Sequence, residues 1–99
     1  MTPQRIQRRR TRGWRKPKAA IIVTRPGPYG NPFVVGVDGT AAECVKAFSE
    51  MMDEWMLADP YGFEEFIAPL RGHDLCCWCR IGEPCHADTL LRIANGDRK

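Results

Sequence analysis

Acidic residues are absent from the first 37 positions of this 99-residue chain. These positions hold nine Lys and Arg, whereas the rest of the chain holds the other six of the 15 basic residues and all 12 acidic residues. A basic block of this kind typically binds a polyanion, because neutralised phosphates release counterions. The alternative is that the block lies on the acidic surface of its own domain. The arginines of the block that are candidate phosphate ligands are Arg8, Arg9, Arg10, Arg12, Arg15 and Arg25.

Long hydrophobic runs are absent too. No stretch approaches the roughly 20 apolar residues of a membrane span, and the basic N-terminus lacks the apolar segment of a secretory signal. We therefore expect no membrane contact and a cytoplasmic location. The cysteine count is five, an odd number that in a reducing compartment favours thiols or metal ligands over disulfides.

The hydrophobic pattern predicts helices placed between short strands. Thr40 and Glu43 have the spacing of a capping box, and apolar residues then recur at three- and four-residue steps as far as Leu57 or Ala58. Asp59 and Pro60 end that helix. Predicted strands cover residues 19–24, 33–37 and 74–78, a second short helix covers 63–70, and a last helix runs from 84 to 95.

The domain organisation follows from this order of elements. Residues 1–18 show no helical apolar stripe, and we interpret them as an extended basic arm. Residues 19–99 are expected to form a single α/β domain, with helices packed on a short, partly parallel sheet.

The segment DLCCWCRIGEPCHAD, residues 74–88, holds four of the five cysteines and one of the two histidines. On a strand, Cys77 and Cys79 project to the same face. Cys85 and His86 fall at the first turn of the last helix, where backbone amides and the helix dipole favour negative charge. The end of the strand and the start of the helix therefore meet at the edge of the sheet where α/β proteins bind ligands.

Three interpretations of this corner stay open. The first is a zinc site whose ligands are Cys77, Cys79, Cys85 and His86. Against it, the spacing of these residues lacks the usual two-to-four-residue knuckle, and the side chains of adjacent helix residues diverge by about 100°. The second is a reactive Cys85 thiolate, with His86 as base or orienting group and Arg80 as an anion clamp. The third is that the cysteines, Cys76 above all, are small core residues.

Two other stretches carry candidate binding residues. Trp14 lies among the arginines, and aromatic rings beside cations stack on bases; the alternative is that Trp14 anchors the arm to the domain. Tyr29, Gly30 and Asn31 form a loop in which Gly and Asn permit close approach of a ligand and Tyr29 offers a second ring. The alternative for this loop is a plain turn.

These motifs, in this order, resemble DUF4326, a family of small proteins from bacteriophages and bacteria. The resemblance rests on residues 7–15, on Gly30–Phe33, and on the tail formed by residues 70–79 and Pro84–Asp88. It implies a Rossmann-like core and a phage origin, and hence the host cytoplasm, but it supplies no established activity. The tail is also similar to a shorter motif of the group DUF488, in which Arg stands at the position of Ala87.

The expected fold class is therefore a small Rossmann-like α/β domain of two or three layers. It has a short, partly parallel sheet, about three helices and an extended basic N-terminal arm.

The basic block and the cysteine corner together predict an accessory protein that binds a phosphate-bearing ligand, either nucleic acid or a nucleotide. One alternative is an enzyme that acts on a nucleotide or base through Cys85 or a zinc centre. Another is a protein that binds and modulates a host protein through the basic arm. The sequence leaves open whether the chain is an enzyme.

Overall fold

The computed structural model describes residues 3–25 and 27–96 of the chain. The elements within them are β1 (Arg5–Gln7), β2 (Ile21–Ile22), α1 (Ala41–Ala58), α2 (Pro60–Ile67), a 3₁₀ turn (Ala68–Leu70), β3 (Leu75–Cys77) and α3 (His86–Ala94).

The three strands form one parallel sheet in the order β1-β3-β2. Strand β3 is central, because Leu75 pairs with Arg5 on one side and with Ile21 on the other. All three residues of β3 are buried, so their backbone groups need a partner strand at each edge. Three helices and a short parallel sheet confirm the predicted small α/β class.

In the residues that it describes, the structure does not show the separate extended arm that we predicted for residues 1–18. Residues 5–7 are an edge strand of the sheet, and the pairing continues where the N–H of Arg8 donates to the Cys77 carbonyl at 2.6 Å. The sequence did not predict this strand because Ile6 is its only apolar residue. Residues 8–20 form loops and turns.

The strand predicted for residues 33–37 is wrong. This segment is a turn with one bridge between Val35 and Gly39, and the Asp38 carboxylate accepts a hydrogen bond from the Val34 N–H at 2.8 Å. Val35 is 60% exposed, so the apolar run has no sheet face to bury.

Helix α1 begins and ends as predicted. The hydroxyl of Thr40 accepts from the Glu43 N–H at 3.2 Å, and the Glu43 carboxylate accepts from the Thr40 N–H at 2.9 Å, which confirms the capping box. Asp59 ends this helix and caps the next, since its carboxylate accepts from the Gly62 N–H at 3.1 Å. Helix α2 therefore begins three residues earlier than the apolar pattern predicted.

The hydrophobic core lies between the sheet and the helices, and α3 packs against β3. This packing brings the end of β3 and the start of α3 together. None of the helices in the described residues combines the length and the apolar character that a bilayer crossing requires. The largest side chains of the core with almost no solvent exposure are Phe48, Phe63, Ile67, Leu70, Leu75 and Leu90.

Candidate ligand pocket and thiol cluster

A cavity of about 280 Å³ lies where β3 ends and α3 begins, and we call it the ligand pocket. The first turns of α1 and the loop that follows β2 form its other walls. Arg25 and Asn31 supply polar groups to the wall, and no Asp or Glu is found among the described residues that line it. The pocket therefore has a positive side and no carboxylate to repel an anion.

Three cysteines of the pocket wall form a thiol cluster: Cys77, Cys79 and Cys85. Their sulfur atoms all lie within 4.8 Å of one another, and the Sγ atoms of Cys77 and Cys85 are 3.2 Å apart. Cys77 ends β3 and Cys85 is the N-cap residue of α3, so regular structure fixes both positions. Thiolates are strong metal ligands, and this group could hold a metal ion.

His86 lies beside the cluster but makes other contacts. Its Nε2 atom is 2.7 Å from the Val23 carbonyl oxygen and 3.0 Å from that of Tyr29. Carbonyl oxygens only accept hydrogen bonds, so Nε2 carries the proton and Nδ1 faces the Cys85 sulfur at 4.0 Å. His86 thus joins the first turn of α3 to the loop after β2. It is not part of the three-sulfur group.

The contacts within the cluster lower the pKa of one thiol and raise the pKa values of the other two. A hydrogen bond from the Cys77 thiol lowers the pKa of Cys85, and a hydrogen bond from the Ala87 N–H acts in the same direction against burial. The hydrogen bond to Cys85 raises the pKa of Cys77, and burial raises it further. Burial, followed by the contact with Cys85, raises the pKa of Cys79. Cys85 is therefore the thiolate of the metal-free cluster.

Arg5 is the neighbour of the cluster that the sequence did not reveal. Its side chain is 6% exposed, and its guanidinium donates to the carbonyls of Glu83 and Arg80, both at 2.9 Å. Burial opposes the charged form, but a hydrogen bond to Cys85 and the nearby Asp88 carboxylate raise the pKa of Arg5. The buried cation therefore fixes the loop between Cys79 and Cys85. Only the pairing of β1 with β3 places it there.

Two arginines of the basic block reach the pocket through Trp78. Their guanidinium carbons lie 4.3 Å (Arg8) and 4.6 Å (Arg10) from the centre of the indole ring. Trp78 lines the pocket and is 40% exposed. Arg8 also donates to the Thr24 hydroxyl at 2.7 Å, which fixes its position.

The other predicted binding residues of the block lie elsewhere. Arg9, Arg12 and Arg15 are exposed and do not line the pocket, and Trp14 is half-buried outside it. Arg80 is also exposed, and its carbonyl rather than its guanidinium contacts the site, through Arg5.

The loop after β2 is a structural wall of the pocket. The Tyr29 hydroxyl donates to the Phe66 carbonyl at 2.8 Å and its ring packs on Phe66, so this ring belongs to the core. A Cβ at Gly30 would lie 2.9 Å from the backbone of Arg25, so the close approach of two backbone segments requires glycine here. Asn31 donates to the Cys44 carbonyl at 3.2 Å and positions the loop against α1.

Comparison with known proteins gives a family but no activity. No curated protein and no solved structure matches the chain. A family model described as a domain of unknown function, DUF4326, matches residues 6–96, which include the sheet, the pocket and the thiol cluster. The chain therefore belongs to the DUF4326 family.

Proposed function

We propose that this protein binds a phosphate-bearing ligand of the nucleotide class in the ligand pocket. The observation that carries the proposal is a cavity with Arg25 and Asn31 on its wall and no carboxylate among its described lining residues. Its volume of about 280 Å³ is close to the lower end of the range for small-molecule sites, roughly 300 to 1,000 Å³. A single nucleotide is therefore favoured over a longer polymer as the occupant.

The charge around the pocket supports an anionic ligand. Arg25 is exposed at the pocket wall, and Arg8 and Arg10 lie beside Trp78 at its edge. Guanidinium groups bind phosphate oxygens through two parallel hydrogen bonds, and clustered cations in a cleft attract anions. The hydrogen bond from Arg8 to Thr24 holds one of these groups in place before a ligand arrives.

The binding test uses fluorescence or calorimetric titration with mononucleotides at low and moderate salt. Arg25→Ala should weaken binding about tenfold or more, because one charge-assisted hydrogen bond contributes roughly 1.5–3 kcal/mol. Arg92→Ala is the matched control, since Arg92 is exposed on α3 and does not line the pocket. Affinity that does not fall with salt, or equal effects of the two substitutions, would contradict the proposal.

Nucleic acid is the second candidate ligand, favoured by the exposed Arg9, Arg12 and Arg15 outside the pocket. Single-stranded oligonucleotides distinguish the two. Binding that depends on Arg12 and Arg15 but not on Arg25 would assign the polymer and exclude the pocket as its site. Binding to a host protein stays a prediction.

For the thiol cluster we propose zinc as the metal. Soft thiolate ligands favour zinc among the divalent ions of cells, and three sulfurs within 4.8 Å suit its tetrahedral coordination. Protein prepared under reducing conditions should contain one zinc per chain, and Cys85→Ser should abolish it. Cys76→Ala is the control, because Cys76 is a buried cysteine of the same strand that does not belong to the cluster.

The alternative for the cluster is a nucleophilic Cys85 in an enzyme that acts on a nucleotide or base, with His86 orienting the thiol. The short distance from Cys85 to Cys77 and the hydrogen-bonded His86 ring favour this candidate. A metal-free protein whose Cys85 forms a covalent adduct with a nucleotide-like electrophile would support it. Full zinc occupancy of the three sulfurs would exclude it, because a thiolate bound to the metal is not free to attack.

A further inference from the structure

We propose that the metal held by the thiol cluster keeps one coordination position open to the ligand pocket, and that Arg5 balances the charge of the site. The proposal rests on the zinc centre proposed above. It assigns that centre to ligand binding rather than to structural support.

The number of available ligands is the first support. Within residues 3–25 and 27–96, the group that could hold a metal contains three sulfurs and no fourth donor. Cys44 also lines the pocket, but its thiol points to the Gly39 carbonyl at 3.9 Å. The Nδ1 atom of His86 is 4.0 Å from the Cys85 sulfur, but it does not belong to the group of donor atoms that all lie within 4.8 Å of one another. Structural zinc sites have four protein ligands, whereas sites with three leave the fourth position to a water or a substrate.

The direction of the open position is the second support. All three cysteines of the cluster lie on the wall of the same pocket. An ion held between their sulfur atoms faces protein on the side of β3 and α3 and faces the pocket on the other. The fourth ligand therefore enters from the pocket, whose volume of about 280 Å³ leaves room for it.

The charge of Arg5 identifies the class of ligand. Three thiolates and a divalent ion together carry one negative charge, which would repel an anion. The Arg5 side chain is 6% exposed and donates to the carbonyls of Glu83 and Arg80, in the loop between Cys79 and Cys85, so it places a positive charge beside this group. Its carboxylate partner, Asp88, is 3.3 Å away but 57% exposed, so solvent weakens that pairing. With Arg5 present the site is close to neutral, and it accepts an anionic oxygen donor such as a phosphate group.

Cobalt-substituted protein tests the open position. Reduced, metal-free chain is loaded with Co²⁺, and thiolate-to-cobalt charge-transfer absorption in the near ultraviolet reports binding to the cluster. Azide and inorganic phosphate are then titrated while the visible bands of cobalt are recorded. We expect a saturable shift of these bands with both anions. Visible bands that do not respond would show a closed site and overturn the proposal, whereas absence of the charge-transfer absorption would instead refute the metal centre itself.

The role of Arg5 is tested by comparing two probes, because loss of structure would weaken both whereas loss of charge would weaken only the anion. Azide, an anion, and imidazole, a neutral donor, are compared in the cobalt protein. Arg5→Gln should weaken azide at least about tenfold, as expected for loss of a charge-assisted contact, and leave imidazole nearly unchanged, while Arg5→Lys restores part of the azide affinity. Equal weakening of both probes would reduce Arg5 to a structural role and overturn its assignment.

A second variant keeps the test decisive if Arg5→Gln does not fold. Asp88→Asn removes the exposed carboxylate that shares the Arg5 charge. Azide should then bind the cobalt protein more tightly, with imidazole unchanged. Unchanged or weaker azide binding in Asp88→Asn would contradict charge balance by Arg5.

Discussion

The sulfur atoms of Cys77 and Cys85 lie 3.2 Å apart, although seven residues separate them in the chain. The first ends a buried strand and the second caps a helix, so neither can move without disturbing the core. The contact is consequently a property of the fold rather than of a flexible loop. Several measurable properties depend on it.

Alkylation of the metal-free protein should begin at Cys85. Its pKa is lowered by the hydrogen bond from Cys77, so its thiolate is populated above that lowered pKa and is lost only as the pH falls through it. The pKa values of Cys76, Cys77 and Cys79 are raised, so their thiolates form only at higher pH. Mass spectrometry of peptides labelled with iodoacetamide between about pH 5 and about pH 9 measures the order. Labelling of Cys85 only above the ordinary thiol pKa of about 8.5 would contradict this expectation.

Substitution of His86 should separate stability from metal binding. In His86→Ala the buried carbonyl of Val23 loses its donor, which should lower the free energy of unfolding by about 1–3 kcal/mol. Zinc content should stay at one per chain, because the three sulfurs remain. Chemical denaturation and metal analysis of the same sample give both values. Loss of zinc equal to that of Cys85→Ser would instead make His86 a ligand.

The loop after β2 should not tolerate a side chain at residue 30. In Gly30→Ala the new Cβ would lie 2.7 Å from the Cγ of Arg25 and 2.9 Å from its backbone, so we expect a loss of about 1–3 kcal/mol in stability. Gly27→Ala is the matched control, because its Cβ would meet only the Thr24 carbonyl, at 3.2 Å. Thermal unfolding compares them. Equal melting temperatures of the two variants would show that the close approach is not needed.

The stability lost when a side chain is truncated should depend on how deeply that side chain is buried. Phe48 is 1% exposed and packs in the core, where its ring lies edge-on to His86, so Phe48→Ala should cost about 3–5 kcal/mol. Leu57, on the same helix but 82% exposed, is the control, and Leu57→Ala should change stability by less than about 0.5 kcal/mol. Urea denaturation measures both. A large effect at Leu57 would show that its exposed surface is covered in solution.

The sequence predicts those parts of the fold that local chemistry determines. The hydrogen bonds of Thr40 and Glu43 depend only on their spacing, and they were confirmed. The prediction for residues 33–37 was wrong because β-branched residues favour a strand but do not show whether a partner strand is present. Strand β1 was not predicted, because its composition does not favour a strand. These residues form one only through their pairing with β3.

The same distinction applies to the site. Strand alternation placed Cys77 and Cys79 on one face, and the helix signal at Pro84 placed Cys85 near a helix start. Arg5 could not be found in this way. Its position beside Cys85 depends on which strand pairs with β3 and in which register, and tertiary packing alone decides both.

The central position of β3 also determines when the molecule can fold. Its neighbours are drawn from the beginning of the chain, and Leu75 pairs with Arg5, 70 positions earlier, and with Ile21. Contacts over such separations form slowly, because the intervening chain must close a long loop first. During synthesis, β1 and β2 are made long before β3, so the sheet forms only after residues 75–77 have been added. Until then Cys77, Cys79 and Cys85 are not held together, so the metal binding that we propose for all three can only follow formation of the sheet.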